Sequence, residues 1–118
     1  MLFIARFTNN PERAGLISQY YPAHVEWLKQ HEDMILVPGV VETTSNFVEH
    51  PEVVARRIEE SVAAVGDRER VIASTDCGFG TFTRREWVIE PAVWLKLKAI
   101  RDGADLASAR LWGQKSAA

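Results

Sequence analysis

The sequence is short of the features that mark several protein classes. It holds one cysteine in 118 residues, so no disulfide closes within the chain, and a zinc site built from several cysteines is excluded. Any metal would need histidine, carboxylate or another chain's donors. Residues 1–7 are soon interrupted by Arg6 and do not read as a signal peptide; with the lone thiol, this predicts a reducing, cytoplasmic setting. Seven glycines and five prolines are too few for a collagen-like or low-complexity chain. No apolar run approaches the ~18 residues of a membrane helix, so no membrane association is expected. A basic excess is missing too. Fourteen Lys and Arg against 16 Asp and Glu give a net charge of -2, which argues against nucleic acid and against an anionic membrane surface as partners. Nor is there a phosphate-binding glycine loop, a serine-nucleophile elbow or a paired-cysteine motif.

What is present is the composition of one globular domain, 47% hydrophobic and 25% charged. A chain of this length buries roughly two-thirds of its unfolded surface. Residues 1–8, with Leu2, Phe3, Ile4, Ala5 and Phe7, read as a strand. Asn10, Pro11 and Glu12 supply a cap, an N1 proline and a first-turn acid for a helix. Pro22 is expected to interrupt or restart that helix, Val25, Leu28 and Trp27 to face the core, and Asp33 to end the segment. A second strand is expected over 34–37, closed by Pro38-Gly39, and a third extended piece over 40–44. After a polar loop, Pro51 and Glu52 open a helix whose stripe is Val54, Ile58, Val62 and Val65, with Gly66 as its C-cap. Residues 71–73 form a short strand, and 74–82 a glycine-containing loop. Glu90-Pro91 begins a last helix in which Val93, Leu97, Ile100, Ala104, Ala107 and Leu111 step by four and three. Gly103 inside it costs about 1 kcal/mol relative to alanine. Alternating strands and helices predict an α/β fold.

The candidate functional residues sit after the strands. Asp76-Cys77-Gly78 follows a short buried strand, the edge where α/β units collect chemistry. Cys77 is either a metal-binding thiolate there or a free cysteine beside a turn. Glu42, Ser45 and Asn46 follow the preceding strand. With Thr43, they either bind a polar substrate or serve turn and capping chemistry. His24, near Tyr20, Tyr21 and Trp27, is either a general base or a structural histidine. His50-Pro51-Glu52 reads as a helix start, His31 as surface, and Arg84-Arg85-Glu86 as a solvated loop.

Two stretches resemble known families. Val37-Pro38-Gly39-Val40-Val41, the run from Ser45 to Glu52, and the run from Arg70 to Phe82 around Asp76-Cys77-Gly78 resemble the end of the cobalamin-independent methionine synthase family. The nearer likeness is to its methionine-synthase-II-like members and the related epoxyalkane:coenzyme M transferases; it covers about residues 37–112 and continues through Ala104, Ala107 and Leu111-Trp112. The resemblance implies strand–helix units of a (β/α)8 barrel and zinc-dependent methyl or alkyl transfer to a small-molecule thiol. In it, Cys77 is a zinc ligand, Asp76 an orienting neighbour, and Ser45 part of the thiol-binding loop. The family's other ligands, among them a His-x-Cys pair, have no counterpart, and a closed barrel takes typically ~250 residues. The chain is therefore expected to be an incomplete, partner-dependent or inactive fragment, a homo-oligomer or one half of a complementing pair.

Residues 1–7, Pro22-Ala23-His24 and 35–39 are similar instead to the start of the YCII-related family. This implies a ferredoxin-like β-α-β segment over 1–38, dimers, and His24 as an acid–base residue. A fusion then joins it to the barrel-like units of 39–118. The alternative reading is accordingly a small dimeric binding or lyase domain using His24.

Overall fold

The structure is a computed structural model and describes residues 14–80 and 87–113. The strand expected at 1–8, the cap at Asn10 and the Arg84-Arg85 pair lie outside the described residues. Helix and strand alternate as expected for α/β: α1 (Ala14–Gln30), β1 (Gly39–Val41), α2 (Pro51–Val65), a 3-10 turn at Arg68–Arg70, β2 (Ser74–Thr75) and α3 (Glu90–Trp112).

β1 and β2 are parallel and joined through α2, with Gly39 opposite Ser74 and Val41 opposite Thr75. A parallel bridge between Leu36 and Val71 extends the pairing toward the N-terminal ends. The strand expected over 34–37 thus shrinks to one bridge, and that over 71–73 to Val71 followed by β2. Pro38 is the reason on the first side. It has no N–H to give, although its carbonyl accepts from Ser74 N at 3.0 Å. The extended piece expected over 40–44 ends at Val41, because the next N–H, that of Glu42, goes to the Glu49 carboxylate at 2.8 Å. Gly39 is required by the register: a Cβ there would lie 2.1 Å from Asp76 Oδ1 and 2.6 Å from Asp76 Cα.

α2 begins and ends as its sequence predicts. His50 caps it by accepting from Glu52 N at 3.2 Å, Pro51 occupies the first turn, and Gly66 closes it at φ 80° with its N–H on Val62 O at 2.8 Å. Val54, Ala55 and Ile58 are buried in one core with Val40 and Val41 of β1 and Ala99 and Ala107 of α3, and Val65 is buried near the end of the helix.

The buried face of α3 differs from the expected stripe. It consists of Ala92, Lys96, Ala99, Gly103 and Ala107. Val93, Ile100, Ala104 and Leu111 are half-buried at its margin, and Leu97 is exposed. The cause is close approach of the helices. A Cβ on Gly103 would lie 2.6 Å from Val54 Cβ and 2.9 Å from Pro51 O. Only a face of small residues lets α3 sit so near α2, and that rotates the larger apolar residues to the rim. Arg110 then brackets the pair from α3, bonding Glu52 at 2.7 Å and Glu59 at 3.0 Å. Both pairs are open to solvent, whose screening leaves them a minor part in stability.

α1 runs unbroken through Pro22, which does not interrupt it. Its far end is fixed from a distant part of the chain: Arg70 donates to Leu28 O at 3.1 Å and His31 O at 2.5 Å, and also to Met34 O at 2.9 Å. Leu28 O is one of the unsatisfied carbonyls of the helix C-terminus, for which a cation is a favourable partner, and the His31 and Met34 carbonyls belong to the turn that follows. The helix stops at Gln30, before Asp33. Val25 and Leu28 are half-buried, whereas Trp27 is exposed between the rings of His24 and His31.

Gly103→Ala is expected to destabilise the protein by about 1–2 kcal/mol in urea denaturation. Overpacking against the Pro51 carbonyl exceeds the ~1 kcal/mol alanine contributes as a helix former. A more stable variant would show that the two helices have room to part.

Candidate functional site

Because β1 and β2 run parallel, the residues that follow them emerge at the same edge. Glu42 and Thr43 leave β1 there, and Asp76 and Cys77 leave β2. The Thr43 hydroxyl lies 3.3 Å from the Cys77 sulfur. Thr43 is buried and Cys77 exposed, so the thiol meets solvent with one polar side fixed by the fold. Thr75 Oγ1 donates to the Cys77 carbonyl at 2.8 Å, which holds the turn after β2. Asp76 N–H donates to Val41 O at 3.0 Å, and its carboxyl lies over Gly39. Desolvation raises the Asp76 pKa, Arg57 opposes that, and the negative charges of Glu42 and Glu49 add to it.

Behind this edge lies an ionic cluster that crosses the fold. Lys96, on α3, has no solvent exposure. Its ammonium lies 3.1 Å from Glu49 Oε2 and 3.3 Å from Glu42 Oε1. Glu49 is buried as well; its other oxygen accepts from Glu42 N and lies 3.7 Å from Arg57 Nη1. Arg57 in turn donates to Val40 O at 2.7 Å. The buried charges are thereby paired and also bonded to the backbone at the end of β1, the condition for tolerating them in an interior.

Glu42 gathers the loop that follows. Its Oε1 accepts from Ser45 N at 3.1 Å, the Ser45 hydroxyl and Lys96, and its Oε2 from Thr44 N at 3.0 Å and Thr44 Oγ1 at 2.7 Å. Five donors fill the roughly four lone-pair sites of a carboxylate. The Ser45 and Thr44 hydrogen bonds hold its pKa down at about 2 against desolvation, with a smaller contribution from Lys96. Ser45 also accepts from Phe47 N at 3.2 Å, and Asn46 Oδ1 accepts from Ile89 N at 2.9 Å at the start of α3. Of the residues expected to touch substrate, Glu42, Ser45 and Asn46 thus also shape the loop, while Thr43 meets Cys77.

His24 belongs to another part of the surface. It lies on α1, its ring parallel to that of Trp27 at 6.4 Å. It lines an open cleft of about 330 Å³ with Tyr21, Leu28, Val40, Arg57 and Ser61. Asp76 and Cys77 are not among the residues lining that cleft.

Among the described residues, no group of three or more His, Cys, Asp or Glu side chains is arranged to hold a metal ion. One thiolate does not make a tetrahedral site, so these residues alone do not fit the zinc that the family resemblance implies. Among the described residues, no helix is long and apolar enough to cross a membrane. Comparison with family models, with curated proteins and with solved structures gives no match for this chain.

The sequence reading missed Lys96, Glu49 and Arg57. A signal for Lys96 was present: it occupies a position of the Ala92–Ala99–Gly103–Ala107 face. Phasing the helix on its large residues put that face out of view.

Lys96→Ala should lower stability by about 3 kcal/mol, because it takes from the buried Glu49 its nearest counter-charge and leaves only the partly exposed Arg57, 3.7 Å away. Urea denaturation checks this, and a loss under about 1 kcal/mol would mean that water reaches Glu49. The depressed Glu42 pKa gives a contribution to stability that is complete above about 4.5 and lost as pH falls toward about 2. In an acid titration followed by NMR, the Thr44 and Ser45 amide shifts should move with a midpoint well below 4.5. A midpoint at the ordinary glutamate value would mean that the loop does not hold the carboxylate.

Proposed function

We propose that the chain supplies the closing strand–helix units of a methionine-synthase-II-like barrel, serving zinc-dependent methyl or alkyl transfer to a small-molecule thiol together with a complementary chain. The observation that carries this reading is the parallel β1–α2–β2 unit, which delivers residues 42–46 and Asp76-Cys77 to one strand edge. In barrels of strand–helix units, the chemistry collects at that edge. In this reading Cys77 is one metal donor, Asp76 orients it or the substrate, and Ser45 and Asn46 present polar groups to the thiol substrate. Glu42 holds their loop in shape. The remaining donors come from outside the described residues.

Dependence on a second chain has its own support. Ile35, Val37 and Ile72, along the paired segments, are 52–60% exposed, and Phe47 and Trp94 are 69% and 64% exposed. Ile35, Val37 and Ile72 flank the Leu36–Val71 bridge, and apolar side chains exposed along paired segments suit a face that another element covers. In this reading, 1–38 is the YCII-like segment that precedes the barrel-like units of 39–118.

A second reading rests on His24, whose ring lies parallel to that of Trp27 beside an open cleft. Here the chain is a small dimeric, YCII-like binding or lyase domain with His24 as its acid–base group. His24→Ala would then keep the fold and lose ligand binding.

The test is co-expression with a methionine-synthase-II-like barrel lacking its last strand–helix units. The two chains are expected to co-purify with near-stoichiometric zinc, which Cys77→Ser removes, and to form methionine from homocysteine when 5-methyltetrahydropteroyltriglutamate is supplied as the methyl donor and released as the demethylated folate. The chain alone should do neither. Methionine formation by the chain alone, dependent on Cys77, would overturn partner dependence. Failure of the pair to associate or to retain zinc would overturn the barrel reading.

A further inference from the structure

The ammonium of Lys96 is wholly enclosed and touches two carboxylates of different kinds. Glu49 is buried with it, whereas the Glu42 side chain is 34% exposed and belongs to the loop at the strand edge. A buried lysine needs one carboxylate for neutrality, and Glu49 supplies it. The second contact reaches outward, to the group that Thr44 and Ser45 wrap around. The same Glu49 binds the N–H of Glu42, so both the backbone and the side chain of the loop's first residue are held from the interior. Thr43 follows directly, with its hydroxyl 3.3 Å from the Cys77 sulfur.

From this chain of contacts we infer that Lys96 is a positioning residue of the strand-edge site: through Glu42 it orders loop 42–46 and sets the Thr43 hydroxyl against the Cys77 thiol. The cation has a geometric task beyond neutralising Glu49. A carboxylate surrounded only by its own loop's donors could swing out with that loop, whereas one bonded to an immobile ammonium on α3 cannot. Arg57, the other cation of the cluster, holds Val40 O and faces Glu49, and so fixes the strand but not the loop. The role holds whichever small molecule the strand edge takes, and is independent of alkyl transfer.

The test uses the full chain carrying Lys96→Met with Glu49→Gln. This removes both buried charges together, an exchange that commonly leaves stability nearly unchanged, and the glutamine keeps an acceptor for Glu42 N–H. Amide hydrogen exchange by NMR and the rate of Cys77 alkylation by iodoacetamide are compared with the parent. Amides of α2 and α3 should keep their protection, while those of Thr44 and Ser45 lose it by about tenfold or more. Cys77 alkylation should change severalfold in the same variant. Unchanged loop amides in a folded variant would overturn the inference, because Lys96 would then be an internal charge partner only. Loosened amides with unchanged Cys77 reactivity would overturn the link to the thiol. If the double variant does not fold, Lys96→Gln with Glu49→Gln keeps a neutral hydrogen-bonding pair in the interior, leaves the Thr44 and Ser45 bonds to Glu42 untouched, and still removes the cation from Glu42. It must loosen the same two amides and alter Cys77 alkylation, and an unaltered loop there would overturn the inference equally.

Discussion

A lysine ammonium removed from water has to be answered where it sits, and much of this structure is arranged around that requirement. Lys96 lies on the face of α3 that packs inward, and Glu49 and Glu42 meet it from the segment after β1. Arg57 enters from α2 and ties the same cluster to a strand carbonyl. Three elements distant in sequence thus converge on one set of charges. Desolvation makes such a cluster demanding, since each charge is tolerable only while the others stay in place. The cluster therefore fixes position more than it contributes net stability, and what it positions is the end of β1.

Close backbone approach is the second constraint. Gly39 lets β1 lie against Asp76, and Gly103 lets α3 lie against α2. Neither glycine adopts a left-handed conformation, so each is needed for space and not for its dihedral freedom. The small-residue face of α3 buries little area per residue, but it brings the helix near enough for Lys96 to span to the strand segment. Packing and electrostatics depend on each other here: a bulkier helix interface would carry the ammonium out of reach of both carboxylates.

The strand edge gathers a thiol, a carboxyl of raised pKa, a buried hydroxyl and a loop organised around a carboxylate. This set suits the recognition of a small polar molecule, yet it contains a single soft metal donor. The proposed partnership follows from that shortage together with the apolar residues exposed along 35–37, 72 and 94. The cleft beside His24 reaches β1 and the ionic cluster through Gly39, Val40 and Arg57; its His24 side serves the competing reading, in which the segment before β1 carries the chemistry.

Local signals in the sequence determined what depends on local physics. His50, Pro51 and Gly66 bounded α2 because capping and φ preferences act within a few residues. The alternation of helix and strand, the position of Asp76-Cys77 after a strand, and the start of α3 at Glu90-Pro91 were legible for the same reason. Tertiary structure alone decided the rest. It carried α1 through Pro22, with its C-terminal carbonyls held by Arg70 from 39 residues or more away in sequence. It reduced the strand expected over 34–37, beside Pro38, to the one bridge between Leu36 and Val71, and moved the strand expected over 71–73 to Ser74–Thr75. It turned α3 so that Ala92, Lys96, Ala99 and Gly103 face inward in place of Val93 and Leu97. Hydropathy ranks a lysine and a glycine as poor core residues, and no periodicity rule brings them inside. They are buried because two carboxylates and a neighbouring helix are already waiting there, and only the assembled fold contains that information.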